Sequence, residues 1–282
     1  MKRIARMSLM GLLAMGLLAS CKPEEEKPYV PIEPELQEDY TETAFGMNLE
    51  MVYVKGGTFK MGATAEQGKD AKADEKPVRT IKLDSYHIGM YEVTQAQWKD
   101  VMGQDAIYDY DRGKGDTYPV YYVNWIDAQE FCQKLSEATG KKYILPTEAM
   151  WEYAARGGIH KTNTKYAGSN DIEEVAWYRG NSGNYGIDPD YGNHPVGTKK
   201  ANALGIYDMC GNVWEWCSNW YRADEYNKID DYNPQGPASG SKRVLRGGSW
   251  GFDAEGCRVS NRDYDDPDLH NLTVGFRVAV LL

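Results

Sequence analysis

The stretch RVLRGGSWGFDAEGCRVSNR, residues 243–262, holds the side chains best suited to chemistry. Cys257 is the one candidate catalytic residue, since a thiolate can act as a nucleophile or as a ligand to a soft metal. Arg246, Arg258 and Arg262 surround it and Arg277 follows. Guanidinium forks match carboxylates and carbonyls, so these four are expected to anchor loops. The four histidines, His87, His160, His194 and His270, are scattered and lack a metal-ligand spacing. His194, before Pro195, reads as structural, whereas His270 lies in a loop where it can touch a ligand. The carboxylates between Asp263 and Asp268 are read as a solvated acidic loop rather than an acid–base pair. No nucleophile elbow or phosphate loop is present, and the GKG at 113–115 is a turn.

Elements must hold these residues in place. MVYVKGGTFKMG alternates as a strand, a glycine turn and a second strand. VRTIKLDSYHIGMYEVT reads as a strand pair with Ile81, Leu83, Tyr86 and Ile88 facing inward. Thr94 and Gln97 form a capping box that opens a helix over QAQWKDVMG. In WIDAQEFCQKLSEATG, Trp125, Ala128, Phe131, Cys132 and Leu135 share one helical face, with Gly140 as a stop. Cys132 there is read as a small buried hydrophobe. Thr147 caps a third helix in LPTEAMWEYAARGG. The chain ends on VGFRVAVLL, a strand expected to join a sheet. Long segments rich in Gly, Asn, Asp and Tyr lie between, and only a specific scaffold, a bound ion or internal hydrogen bonding would order them. No internal repeat or second-domain linker is found.

The chain has three further parts by composition. Residues 1–20 carry Lys2, Arg3 and Arg6 before an apolar run too short to span a bilayer, as a secretory signal does. Leu18-Ala19-Ser20-Cys21 resembles a bacterial lipoprotein box, which implies acylation of Cys21. Residues 21–44 read as an acidic, proline-rich tether. Glu24, Glu25 and Glu26 resemble a signal that sends lipoproteins to the outer face of the outer membrane. Residues 45–282 are long enough for one domain with a proper core. Loss of residues 1–20 removes three positive charges and takes the formal net charge from −10 to −13, which argues against a nucleic-acid partner. Cys132, Cys210, Cys217 and Cys257 form no recognisable disulfide framework.

GGTFKMG, YEVTQAQW, LPTEAMWEYAARGG, GIYDMCGNVWEW, NPQGP, RVLRGGSW and GFR occur in this order. Together they resemble the formylglycine-generating enzyme (sulfatase-modifying factor) family over Phe45 to Leu282. The resemblance implies an α+β fold of the C-type-lectin kind, one domain with little regular secondary structure and a structural Ca2+. Asp208, the carbonyls of Gly211 and Val213, and Glu215 match the family's ligands at one calcium site, and hard oxygen donors suit that ion. Asp188 and Asp190 are candidates for a second, poorly matched site.

Enzymes of this family oxidise a peptide cysteine with copper and oxygen, using two thiolates on the counterpart of residues 250–262. Copper(I) is soft and favours paired sulfur ligation. Here Phe252 stands where the first cysteine would be. Counting forward from Gly247-Gly248-Ser249 puts Cys257 at the second cysteine. Counting back from Arg262 puts it at a tyrosine outside the pair, and that register fits CRVSNR better. Either way one thiol remains, so copper is not expected.

Fixed loops of rigid rings and small polar groups make an adaptable binding surface. The candidate ligand-binding residues are Trp250, Phe252, Asp253, Glu255, Asp263, Tyr264, Asp265, His270 and Asn271. The leading expectation is a non-catalytic surface lipoprotein that binds a protein or glycan. It also resembles the variable proteins of diversity-generating retroelements, although Glu255 is not easily produced by their adenine-targeted mutagenesis. The alternatives are a formylglycine-generating-type oxidase and a structural accessory lipoprotein of a secretion or gliding complex.

Overall fold

In the computed structural model, which describes residues 37–106, 111–184, 187–188 and 191–282, segments 49–61 and 79–89 form one antiparallel ribbon. Its strands are β2 (Leu49–Val54) and β3 (Gly57–Met61) on one side, β4 (Arg79–Leu83) and β5 (Tyr86–Gly89) on the other, with β1 (Tyr40–Glu42) preceding them. Val54 faces Tyr86 and Gly57 faces Leu83, so the register runs on across the break. The break falls where Gly56 crosses Asp84 and Ser85. A Cβ at Gly56 would lie 2.7 Å from the Asp84 carbonyl carbon, and Ser85 Oγ accepts the Gly56 N–H at 3.0 Å. The strands expected within residues 78–94 exist, but they pair with the 49–61 segment and not with each other. Ile81, Leu83, Tyr86 and Ile88 are all buried.

Local signals place the helices. In α1 (Gln95–Met102) the Thr94 hydroxyl accepts the Gln97 N–H at 3.2 Å, and the Gln97 side chain accepts the Thr94 N–H at 2.9 Å. α2 (Trp125–Thr139) is capped by Asn124 and stops at Gly140, whose φ of 72° is left-handed. Its Ala128, Phe131, Cys132 and Leu135 are buried while Trp125 stays half-buried. α3 (Glu148–Ala155), capped by Thr147, is buried along its whole length. A short fourth helix, α4 (Ile172–Val175), was not signalled by periodicity.

Two larger sheets frame the molecule. The strands β6 (Lys142–Ile144) and β11 (Ala279–Leu281) complete an antiparallel sheet in the order β1-β2-β5-β11-β6, so the C-terminal strand sits inside it. The other sheet has the order β10-β7-β8-β9 and is built from β7 (Trp214–Trp220), β8 (Arg243–Arg246), β9 (Asp263–Asp265) and β10 (Val274–Gly275). Trp151, Trp214 and Trp216 are among the largest side chains in the core.

Structure begins earlier than the tether's expected end at residue 44. The Tyr40 hydroxyl lies 3.1 Å from that of Tyr143, and Glu42 takes Lys141 at 2.6 Å and the Tyr143 hydroxyl at 2.9 Å. These contacts tie β1 to β6 and to the turn before it, a pairing no local pattern announces. The signal segment 1–20, Cys21, most of the tether and Asp190 lie outside the described residues.

Candidate functional site

Cys257 is fully buried, and burial pushes its thiol well above the ordinary 9.0. The nearby Cys210 adds to that rise, while the N–H groups of Gly211 and Ser249 work against it. Its sulfur packs behind the Gly247-Gly248 turn: a Cβ at Gly248 would come within 2.6 Å of Sγ. Both glycines have left-handed φ, +99° and +80°, which side-chain-bearing residues rarely adopt. A thiol that its surroundings hold in the protonated form is a poor nucleophile. Cys132, Cys210 and Cys217 are also buried and free.

The arginines around it each take a buried carboxylate. Arg262 forks onto Glu148 at 2.6 and 2.9 Å, and Arg258 onto Glu75 at 2.6 and 2.8 Å. Arg246 reaches Glu152 at 2.6 Å and the carbonyl of Val259 at 2.8 Å. Arg277 forks onto Glu215, both bonds 2.7 Å, and also reaches the carbonyls of Gly89 and Tyr207. The pairs of Arg246, Arg258 and Arg262 lock residues 243–262 to α3 and to the loop before β4. Burial would raise Glu148, but Arg262 and Arg246 outweigh it and hold the carboxyl below its ordinary 4.5.

The candidate binding residues fall into two neighbouring groups. Trp250 is buried with its indole N–H unpartnered and meets Tyr191 edge-on at 5.0 Å. Phe252, 37% exposed, stands edge-on to Trp214 at 5.4 Å, and Asp253 pairs with Arg179 at 3.1 Å while Glu255 is exposed. In the second group, Tyr264 stacks on Tyr221 at 4.1 Å, and Asp265 takes the Asn271 side chain at 3.4 Å. Burial raises Asp263 above its ordinary value. His270 sits 3.2 Å from Asp127 at the start of α2, and the Asn271 carbonyl accepts the Tyr122 N–H at 3.2 Å. Gly251, next to Trp250, lies near Thr273, two residues after Asn271: an added Cβ would be 3.3 Å from the Thr273 methyl. Of the remaining histidines, His87 is buried, His160 exposed, and His194 stacks on Trp177 at 3.7 Å.

The expected calcium loop is shaped by left-handed residues at Asp208, Gly211 and Asn212. Asp208 Oδ2 accepts the Gly197 N–H at 2.7 Å, and Oδ1 is buried without a hydrogen-bond partner. Burial raises Asp208 to about 6; Glu215 adds to this, and Gly197 and Arg277 oppose it. Glu215 gives its oxygens to Arg277 and to the Trp151 indole at 2.7 Å. Glu92, which the motif YEVTQAQW contained without being singled out, is buried and raised well above 4.5 by burial and by Asp208 and Glu215. It accepts the Asn212 side chain at 2.6 Å and the Val213 N–H at 3.0 Å. Three buried carboxylates therefore share the cation Arg277. Carboxyl groups whose charged forms burial and mutual repulsion disfavour, and the free Asp208 oxygen, suit a hard cation at Asp208. Glu215, as placed, is the counter-ion of Arg277. Among the described residues no group of three or more His, Cys, Asp or Glu side chains is arranged around a metal position. Asp188 accepts the backbone and side-chain amides of Asn184 at 2.6 and 3.0 Å.

Fold and site together define an α+β, C-type-lectin-like domain with little regular secondary structure and without the thiol pair of its catalytic relatives. The chain belongs to the family described as sulfatase-modifying factor enzyme 1-like domain, whose model matches residues 37–282. It is 35% identical to the chaperone protein LppX of Paenibacillus barcinonensis over 71% of this chain and 78% of that one. It is 30% identical to a formylglycine-generating enzyme of Streptomyces coelicolor over 81% and 88% respectively. The solved structure of Treponema denticola variable protein 1 superposes with a TM-score of 0.73 at 33% identity, over 86% of this chain and 98% of that one.

Proposed function

We propose that the protein is a non-catalytic binding protein, lipid-anchored through Cys21 at the outer face of the outer membrane. The loops 250–256 and 263–272 take a protein or glycan ligand, and a structural Ca2+ is held at Asp208 with Gly211, Val213 and Glu215 as the expected partners. One observation carries this reading: Phe252 and the enclosed Cys257 occupy the segment where copper chemistry needs two accessible thiolates. Similarity to a protein named as a variable protein supports the loops as the working surface. Similarity to a protein named as a chaperone favours a protein partner as the second reading.

The test is oxidation of a Cys-x-Pro-x-Arg peptide with copper and oxygen, followed by mass spectrometry. Folded, calcium-loaded protein should leave the peptide cysteine unchanged. Appearance of the aldehyde would establish the oxidase reading instead.

A further inference from the structure

Just before β1 the chain reaches across a sheet. The Glu38 carbonyl lies 2.9 Å from Nε2 of His87 on β5, which stands two strands from β1 in the order β1-β2-β5. Residues 38–42 form a strap held by its own side chains. Asp39 accepts the Tyr53 N–H at 2.7 Å, Tyr40 stands edge-on to the His87 ring at 4.9 Å, and Glu42 takes Lys141 and Tyr143. Tyr53, the β2 residue in register with His87, tilts against the same ring at 5.5 Å. His87 is fully buried, and its other nitrogen, Nδ1, is buried without a hydrogen-bond partner. A carbonyl only accepts, so in the neutral ring the proton is on Nε2 and Nδ1 is bare. A proton added at Nδ1 makes a buried cation whose new N–H nothing accepts, which is unfavourable.

We infer that His87 is a pH-sensitive latch: the strap 38–42 lies closed on the sheet while the ring is neutral, and protonation at Nδ1 releases it. Burial lowers the ring below its ordinary 6.5 and Lys141 adds to this, against the Glu38 carbonyl and Asp39. The ring therefore binds a proton more readily with the strap lifted. The latch is complete above pH 6.5, and below it the closed form loses up to about tenfold per pH unit until the closed ring itself protonates. Among the described residues, the other groups facing the ring do not answer in that range. Burial would raise Glu42, but Lys141 and Tyr143 outweigh it and hold the carboxyl below its ordinary 4.5. Burial raises the Tyr40 and Tyr143 hydroxyls above their ordinary 10.0, and β11 offers the apolar Val280 opposite His87. The described residues begin at 37, so the strap joins the domain to the segment read from sequence as a tether. Release adds about 17 Å of reach, at roughly 3.4 Å per extended residue. The latch stands without the lipid-anchoring reading; the added reach matters only with it.

The experiment is amide hydrogen exchange with mass spectrometry on the full chain between about pH 7.5 and pH 5, each rate taken relative to unstructured chain at the same pH. Protection of β1 should fall about tenfold between these limits while β7 and β8 keep theirs. His87→Gln still donates to the Glu38 carbonyl and does not titrate, so it should remove the dependence. Constant β1 protection overturns the inference. So does a loss that His87→Gln leaves in place, or one that β7 and β8 share, which is unfolding of the whole domain. Should His87→Gln not fold, an NMR titration of the His87 ring in the unmodified protein decides. A midpoint below 6.5 that coincides with the loss of β1 protection supports the latch, and a midpoint at or above 6.5 overturns it. Ligand binding by the loops and peptide oxidation are measured separately, so the latch and the non-catalytic binding reading fail independently.

Discussion

At the residue scale, an ionic pair matters according to what surrounds it. Arg262 and Glu148 are both buried, so removing one partner leaves an uncompensated charge in the core. Arg262→Met is expected to destabilise the protein by about 3–5 kcal/mol in denaturant unfolding. Arg179→Met, at an exposed pair with Asp253, should change stability by less than about 1 kcal/mol. Equal effects would mean that the buried fork is not a support of the site. The same carboxylates set a pH dependence. Glu148 and Glu75 titrate below their ordinary 4.5 because Arg262 and Arg246, and Arg258 with Ser260, outweigh the rise due to burial. A lowered folded value means the unfolded chain binds protons first, so their contribution is complete above 4.5 and is lost as pH falls through the folded values. Stability should therefore drop on acidification below about pH 4.5, and Glu75→Gln should flatten that part of the profile. A profile unchanged by the substitution would contradict the assignment.

At the element scale, what was legible in sequence was what local chemistry decides. The Thr94–Gln97 box, the Thr147 cap and Gly140 mark helices because each acts within one turn, whereas the Asn124 cap of α2 emerged only in the structure. The ribbon's pairing was not legible, since alternation in 49–61 and 79–89 says which side chains face inward and nothing about partners. Nor was Glu75 as the seat for Arg258, which lies 183 positions away. Cys257 could be read as lacking a partner thiol, but its enclosure behind Gly248 needed coordinates. The Asp208–Glu215 loop combines both kinds of information: its ligand pattern came from motif, and the third buried carboxyl beside it, Glu92, came from the coordinates. Calcium should raise the melting temperature over an EDTA-treated control, because binding to the folded state alone stabilises it by mass action. Asp208→Asn, which keeps the shape and removes the charge, should abolish most of that increment. Wild-type melts that coincide with and without calcium would remove the ion from this loop.

At the scale of the whole molecule, charge and anchoring have to be considered together. Without residues 1–20 the formal net charge is −13, against −10 for the full chain with its three leading basic residues. A net charge of that sign works against peripheral attraction to an anionic membrane surface. Among the described residues no helix is long and apolar enough to cross one. On the proposed reading the attachment is acylation at Cys21, where each buried methylene would contribute about 0.8 kcal/mol and more than one chain would be needed for a stable anchor. Cys21→Ser should shift the protein from the membrane fraction to the soluble fraction on cell fractionation, without loss of the folded domain's melting transition. Retention of the variant on membranes at high salt would locate the anchor elsewhere. With the anchor intact, cleavage of the chain by protease added to whole cells would distinguish outward display from an inward-facing lipoprotein. Display matters for the binding reading, because the loops at 250–256 and 263–272 can meet a ligand outside the cell only from that face.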